Sequence, residues 1–436
     1  MATVVPTSEE DPALSVVRFT AELSWGDAGP EVAEGQVSRL LAEAGECMVQ
    51  NRWLDLASLM LTSADVIFSK ASEKDIECIY IVICNLVKKP DSLDQAHEMA
   101  ELISTKFTQQ PNNKPELRLK ILFNLYNLLE NPYSRFFVYM KALSLAVSGN
   151  TTEHVVPSFK KMDSFLREWN LGVKDQRVLF LTVSNILKET KSTARDSFKF
   201  LVKYLATFSG EDASTLNEAK QEAVRAIIEF VKAPDMFQSD LQDMPAVVQL
   251  EKDATYSTVY QLLKIFVTQR LDAYLNFHAT NPALLTSYGL VHEDCVTKMR
   301  LLSLVDLSTD ESCHVPYSVI KDTLKIESNE VEPWVVKAIT AKLMDCRIDQ
   351  MNQVVIVRYV IYLLDLYDLN CYEKRLQVVL LCCSRYAERD FGHQQWKALR
   401  SKLGAWRGHI SNVITTIQAN NITENGTKAV QGLAIR

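Results

Sequence analysis

The chain has 436 residues, 47% of them hydrophobic and 23% charged. That composition excludes wholesale disorder, and the length predicts two or three domains or an array of repeats. Gly and Pro number only 13 each, too few for the many tight turns of an all-β protein, so long helices are expected. The formal net charge of −7 argues against holding nucleic acid through the overall field, while leaving room for a local basic face.

Met1–Glu10 has neither the basic region nor the apolar core of an export signal. The most apolar stretch, Val354–Leu364, is too short for a bilayer and carries Arg358 inside it. Nine cysteines without paired spacing read as reduced thiols. A cytoplasmic protein is the expectation.

Residues 1–35 contain Pro6, Pro12, Pro30 and three glycines around a weak apolar stretch, Val16–Leu23, and predict a mobile leader. Over 36–288 the chain reads as a train of amphipathic helices with short breaks. In Glu116–Glu130, Leu117, Ile121, Leu125 and Leu128 recur at helical spacing. Asn131-Pro132 then supplies a cap and a first-turn proline for a helix that stops at Gly149-Asn150. Units of roughly 35–40 residues recur without a strict motif, which predicts an all-α, right-handed helical-repeat solenoid. Tyr256–Phe277 reads as its longest helix, apolar almost all round and placed at the junction with the C-terminal third of the chain.

The texture changes after Leu290. A helix over His292–Ser308, an extended piece at His314–Tyr317, and helices over Ser318–Ile326 and Glu332–Asp345 precede two strand candidates. These are Cys346–Asp349 and Gln353–Val357, joined by a polar turn at Gln350–Asn352. Three short helices and then a β-hairpin give the order of a winged helix, expected over 289–391. A helix over 392–419 and a disordered tail over 420–436 complete the expected layout.

The sequence carries none of the common catalytic patterns. No phosphate-binding or dinucleotide-binding glycine pattern and no nucleophile elbow is present. His97, His154, His278, His292, His314, His393 and His409 include neither H-x-H nor H-E-x-x-H, and Cys78, Cys84 and Cys382-Cys383 lack metal spacing. No enzyme activity, cofactor or metal is expected.

Two features point to partners. In the last helix Trp396, Leu399, Leu403, Trp406, Ile410, Val413 and Ile417 alternate at spacings of three and four. The seam either folds back on the chain's own domains or is offered to helices of partner subunits. The second reading is favoured, because two tryptophans on a terminal helix are costly to leave wet. His393, Lys397, Arg400 and Arg407 form a basic row beside it, read as solvated charges, with contact to RNA or an acidic partner as the minority reading. The winged helix offers only Lys337 and Lys342 on its third helix, so base reading is not expected. Its hairpin, with Ile348 and Val355 as interface candidates, can instead pair edge to edge with another protein's strands.

A helical solenoid capped by a winged helix and a terminal heptad helix resembles the PCI module of the proteasome lid, the signalosome and eukaryotic translation initiation factor 3. Gly289–Glu293, Lys298–Leu302, Cys346–Gln350 and Phe391–Trp396 look most like the initiation-factor branch, with weaker support from Leu117-Arg118-Leu119 and Asn124-Leu125. The resemblance covers roughly 36–419. It implies a non-catalytic scaffold whose wing joins neighbouring PCI subunits and whose last helix joins a shared bundle. The assembly would act on the small ribosomal subunit in recruiting mRNA and initiator tRNA. A signalosome or proteasome-lid subunit, or a winged-helix RNA-binding module, is the alternative.

One departure from the family pattern is the stretch near 358–383, where Gln377-Val378-Val379-Leu380 echoes Gln353-Val354-Val355-Ile356. It is either a genuine wing extension or a mis-spliced or retained segment. The latter is favoured, because the stretch lacks the polar turn chemistry of a surface insertion.

Overall fold

The computed structural model describes residues 11–25, 30–189, 193–307 and 314–360, together with positions 400, 401, 403, 404 and 407. Helices dominate, and one three-stranded sheet lies near the end of the described residues. The chain divides into two compact units, Met1–Thr207 and Phe208–Arg436.

The first unit holds α1 Pro12–Trp25, α2 Pro30–Val49, α3 Trp53–Thr62, α4 Ala64–Lys70, α5 Glu73–Asn85 and α6 Leu93–Thr108. It continues with α7 Pro115–Leu128, α8 Pro132–Ser148, α9 Met162–Trp169, α10 Val173–Lys188 and α11 Ala194–Ala206. Sequence neighbours pair, as α7 with α8 and α10 with α11, while α3 packs on α6, α5 on α7 and α6 on α8. Such alternate-element contacts are how helical pairs stack into a solenoid.

The hairpin expected between Glu116 and Asn150 forms. The Asn131 side chain accepts from the Tyr133 N–H at 3.0 Å and Pro132 opens α8, so two orphan backbone groups are dealt with locally. At the heart of this unit Phe68, Tyr80 and Phe107 pack with centroids 4.8–6.0 Å apart. Arg118 lies 3.8 Å over the Phe68 ring and donates to the Asn113 and Phe107 carbonyls at 2.7 and 3.1 Å. The Leu117-Arg118-Leu119 stretch is therefore a core feature.

The expected mobile leader is corrected over Pro12–Trp25. That segment is α1, whose Ala13, Val16, Val17 and Ala21 are buried where it packs on α2, α4 and α5. Four small or branched apolar residues on one stripe suffice to dock a helix.

The second unit opens with α12 Ala213–Glu218, α13 Lys220–Lys232, α14 Pro245–Val248, α15 Ser257–Thr268, α16 Leu271–Thr280 and α17 Pro282–Ser287. The winged helix then comprises α18 His292–Leu307, β1 His314–Pro316, α19 Tyr317–Leu324, α20 Val331–Thr340, β2 Met344–Asp349 and β3 Val354–Val360. Strand order is β1-β3-β2, antiparallel throughout.

Three expectations are corrected here. The single helix over Tyr256–Phe277 is two, α15 and α16, broken at extended Gln269 and Arg270. The break is held from outside, because the Leu271 N–H donates to Ser303 Oγ of α18 at 3.0 Å. The third wing helix stops at Thr340, and Met344 and Asp345 belong to β2. The expected boundary at 288/289 does not separate compact units, since α13 and α16 pack on α18.

Candidate protein-docking surface of the winged helix

The winged helix is organised around α18. Cys295, Lys298, Met299 and every residue of Leu301–Val305 are buried, so it is the all-round covered helix of this unit. Its polar side chains close the ends of three other helices. Lys298, 2% exposed, donates to the Phe230 and Ala233 carbonyls at the C-terminus of α13, the latter at 2.8 Å, and stands 4.3 Å over the Phe230 ring. Burial pushes its amine down to about 7. Arg300 donates to the Leu324 and Lys325 carbonyls at 3.0 and 3.2 Å, capping α19, and lies 5.2 Å over Trp334 of α20. Ser303 caps α16.

The sequence pattern of Lys298–Leu302 carries the family resemblance but does not predict these roles. A lysine inside an otherwise apolar stripe is the signal that could have found them.

Register fixes the sheet surface. Val355 is opposite both Val315 of β1 and Ile348 of β2, and residues directly opposite share a face. That row is covered at Val315 and Val355 and half-buried at Ile348, on the outer strand. Val355 is 1% exposed and is thereby corrected from interface candidate to core. Ile348 stays within reach of a partner. Arg347 is exposed on β2, with Asp349 two residues on along the same face.

The turn after β2 is held by Asn352, which donates to the Asp349 carboxylate through its side chain at 2.9 Å and its backbone at 3.2 Å. These bonds hold that carboxyl below its ordinary range. Among the described residues no strand pairs with the outer edge of β2. Charged residues along that edge, Arg347 and Asp349, discourage indiscriminate pairing.

The outer face of α20 is apolar, with Val336 51% and Ile339 36% exposed. Lys337 lies 4.6 Å over Trp334. A helix reading DNA would present free cationic or amide side chains, so this face suits protein contact better. Tyr317 donates to Glu332 at 3.0 Å, tying α19 to α20, and burial together with that carboxylate pushes its hydroxyl up to about 12.

Of the heptad candidates, Leu403 is helical and 36% exposed, and Arg400 and Arg407 of the basic row are helical and exposed. Trp396, Leu399, Trp406, Ile410, Val413, Ile417 and Lys397 lie outside the described residues. So do 361–383 of the unusual stretch, 420–436 of the expected tail, and 1–10 of the leader. Among the described residues no three His, Cys, Asp or Glu side chains converge as a metal site, and no helix is long and apolar enough to cross a membrane.

Comparison with known proteins agrees with this geometry. The PCI domain model matches residues 271–358, from the start of α16 through most of β3. A second model, described as "eIF3 subunit M, C-terminal helix", matches 389–417. Residues 359–388 between them, which contain most of the unusual stretch, are covered by neither. Among curated proteins, "Eukaryotic translation initiation factor 3 subunit M" of Dictyostelium discoideum is 33% identical, over 85% of this chain and 86% of its own. The human protein of that name is 27% identical over 83% and 87%, and that of Phaeosphaeria nodorum 27% over 88% and 82%. Identity at this level over nearly the whole length, with both the wing and the last helix matched, selects the initiation-factor branch over the signalosome and proteasome lid: the chain belongs to the eukaryotic translation initiation factor 3 subunit M family.

Proposed function

We propose that the protein is a non-catalytic scaffold subunit of the initiation factor 3 complex in the cytoplasm. It meets its neighbours through the open edge of β2 and through the seam of its last helix. The assembled complex acts on the small ribosomal subunit in recruiting mRNA and initiator tRNA. The observation that carries the reading is the combination of a β2 edge on which no strand pairs among the described residues, with half-buried Ile348 on that strand, and a C-terminal segment matched to the subunit M family. Strand edges and heptad seams are both surfaces that pair with like elements. Direct RNA contact through Arg400, Arg407 and Lys397 is the weaker reading, favoured only by their spacing beside the seam.

The test is affinity purification of the tagged chain, with and without everything from Gly392 onward, read by mass spectrometry. Recovery of initiation-factor subunits only with the helix present is the expected result. Recovery of proteasome or signalosome subunits instead would overturn the function while leaving the fold.

A further inference from the structure

A second candidate surface lies in the first unit. α3 and α6 pack side by side, and a groove of about 540 Å³ runs between their outer faces. It is lined at Glu98, Glu101, Leu102 and Thr105 of α6 and at Gln109 just past its end, a stripe that keeps the helical period for three turns and so extends about 16 Å. From α3 come Leu54, Asp55 and Ser58. The half-buried Leu54 and Leu102 form an apolar floor, and the rim above them is exposed and polar.

The charges on this rim are not balanced internally. Lys106, the one cation among the described lining residues, is drawn off to Asp65 at 3.4 Å, and Asp55 faces Arg52 at 3.4 Å. The Glu98 and Glu101 carboxylates, one turn apart at one end of the groove, have no partner among the described residues. The groove thus combines an apolar floor of two leucines with negative charge that has no partner among the described residues at one end.

We propose that the α3–α6 groove docks a cationic amphipathic helix of a partner protein. The occupant's apolar stripe lies on Leu54 and Leu102, and its Lys or Arg residues reach Glu98 and Glu101. Two packed helices leave between them the seat of a third, at the usual spacing of 8–10 Å. A helical ligand engages such a groove through apolar residues three and four apart. Because the ion pairs sit on an exposed rim, they set orientation and association rate more than affinity, so binding weakens as salt rises.

The probe is a fluorescein-labelled peptide of leucine and lysine, patterned as an amphipathic helix of about four turns. Its binding to the full chain is monitored by fluorescence anisotropy. The groove variant is Glu98→Lys with Glu101→Lys. A control variant, Glu130→Lys with Glu189→Lys, makes the same change in net charge at exposed positions outside the groove. Binding that falls at least ~10-fold in the groove variant and less than ~2-fold in the control is expected. The groove variant should also gain binding to a leucine–glutamate peptide of the same pattern, which shows that the groove itself is still folded. Equal loss in the two variants would reduce the effect to bulk charge and overturn the proposal, as would failure of the wild-type chain to bind.

Discussion

Lys298 is placed where a lysine is least comfortable, and the surroundings explain why it stays. Its desolvation is offset by two carbonyl acceptors at the end of α13 and by the face of Phe230. Replacing it with Met keeps the volume and strands both carbonyls. Lys298→Met should therefore cost about 1–3 kcal/mol, the usual penalty for unpaired buried acceptors, read as a lower thermal midpoint. The pH dependence carries a sign. The unfolded lysine holds its proton up to about 10.5 and the folded one only to about 7, so between these values the unfolded state carries more protons. Stability then rises with pH through that window and is lost as pH falls back towards 7. The Lys298→Met variant should lack this slope. A wild-type profile no steeper than the variant's would mean that the amine titrates normally.

Helix ends in this chain show why some elements are legible and others are not. Asn51, Asn150, Lys325 and Lys342 all take left-handed backbone with φ of 50–56°. In each case the next residue's N–H reaches back five positions to close the helix, as from Thr151 to Ala146 at 2.9 Å and from Leu343 to Ala338 at 3.0 Å. The Asn-marked ends can be read from sequence, since Asn tolerates that conformation. The Lys-marked ends cannot, and for that reason periodicity alone carries the third wing helix past its true end at Thr340. The break between α15 and α16 is equally invisible in the sequence, because Ser303, a residue of another helix, holds it.

Gly149 lies between these cases. It marks the end of α8 as expected, but its φ is −92°, and the reason for glycine is space. A Cβ there would stand 2.7 Å from Pro115 Cβ and 3.0 Å from the Pro111 carbonyl. Gly149→Ala should cost about 1–3 kcal/mol through this overpacking, measured by thermal unfolding. An unchanged midpoint would mean that the proline turn shifts freely.

The contact between α16 and α18 adds a second pH response. The imidazoles of His278 and His292 stack with centroids 4.0 Å apart, and His292 Nδ1 meets the Tyr274 hydroxyl at 3.0 Å. Burial first, and then His278, lower the pKa of His292 below 6.5, against an opposing pull from Glu293. The unfolded histidine therefore binds a proton at a pH where the folded one does not. Stability falls as pH drops from 6.5 through the folded value. A His292→Gln variant should show a shallower acid loss in thermal melts, and parallel profiles would remove His292 as its source.

At the scale of the whole molecule, the sequence order of helices and strands reveals the winged helix but not the unit that contains it. α13 and α16 precede the wing and are held to α18 by side chains at Lys298 and Ser303, contacts with no sequence periodicity. The family match beginning at 271 has the same implication, since it includes α16. The docking surfaces divide along similar lines. The open β2 edge can be read from strand order, whereas the burial of Val355 depends on which face the register turns inward.

If the β2 edge and the last helix both bind within one complex, each raises the effective concentration of the other. Losing one then weakens association, and losing both abolishes it. Arg347 is the residue for this test, because it is exposed on the edge strand and its replacement should change stability by no more than about 0.5 kcal/mol. In tagged-chain purifications quantified by mass spectrometry, Arg347→Glu alone should lower recovery of initiation-factor subunits, most visibly in high-salt washes. Combined with removal of the chain from Gly392, it should lower recovery to background. If Arg347→Glu changes nothing in either setting, the β2 edge is not a contact, and association rests on the last helix and other surfaces.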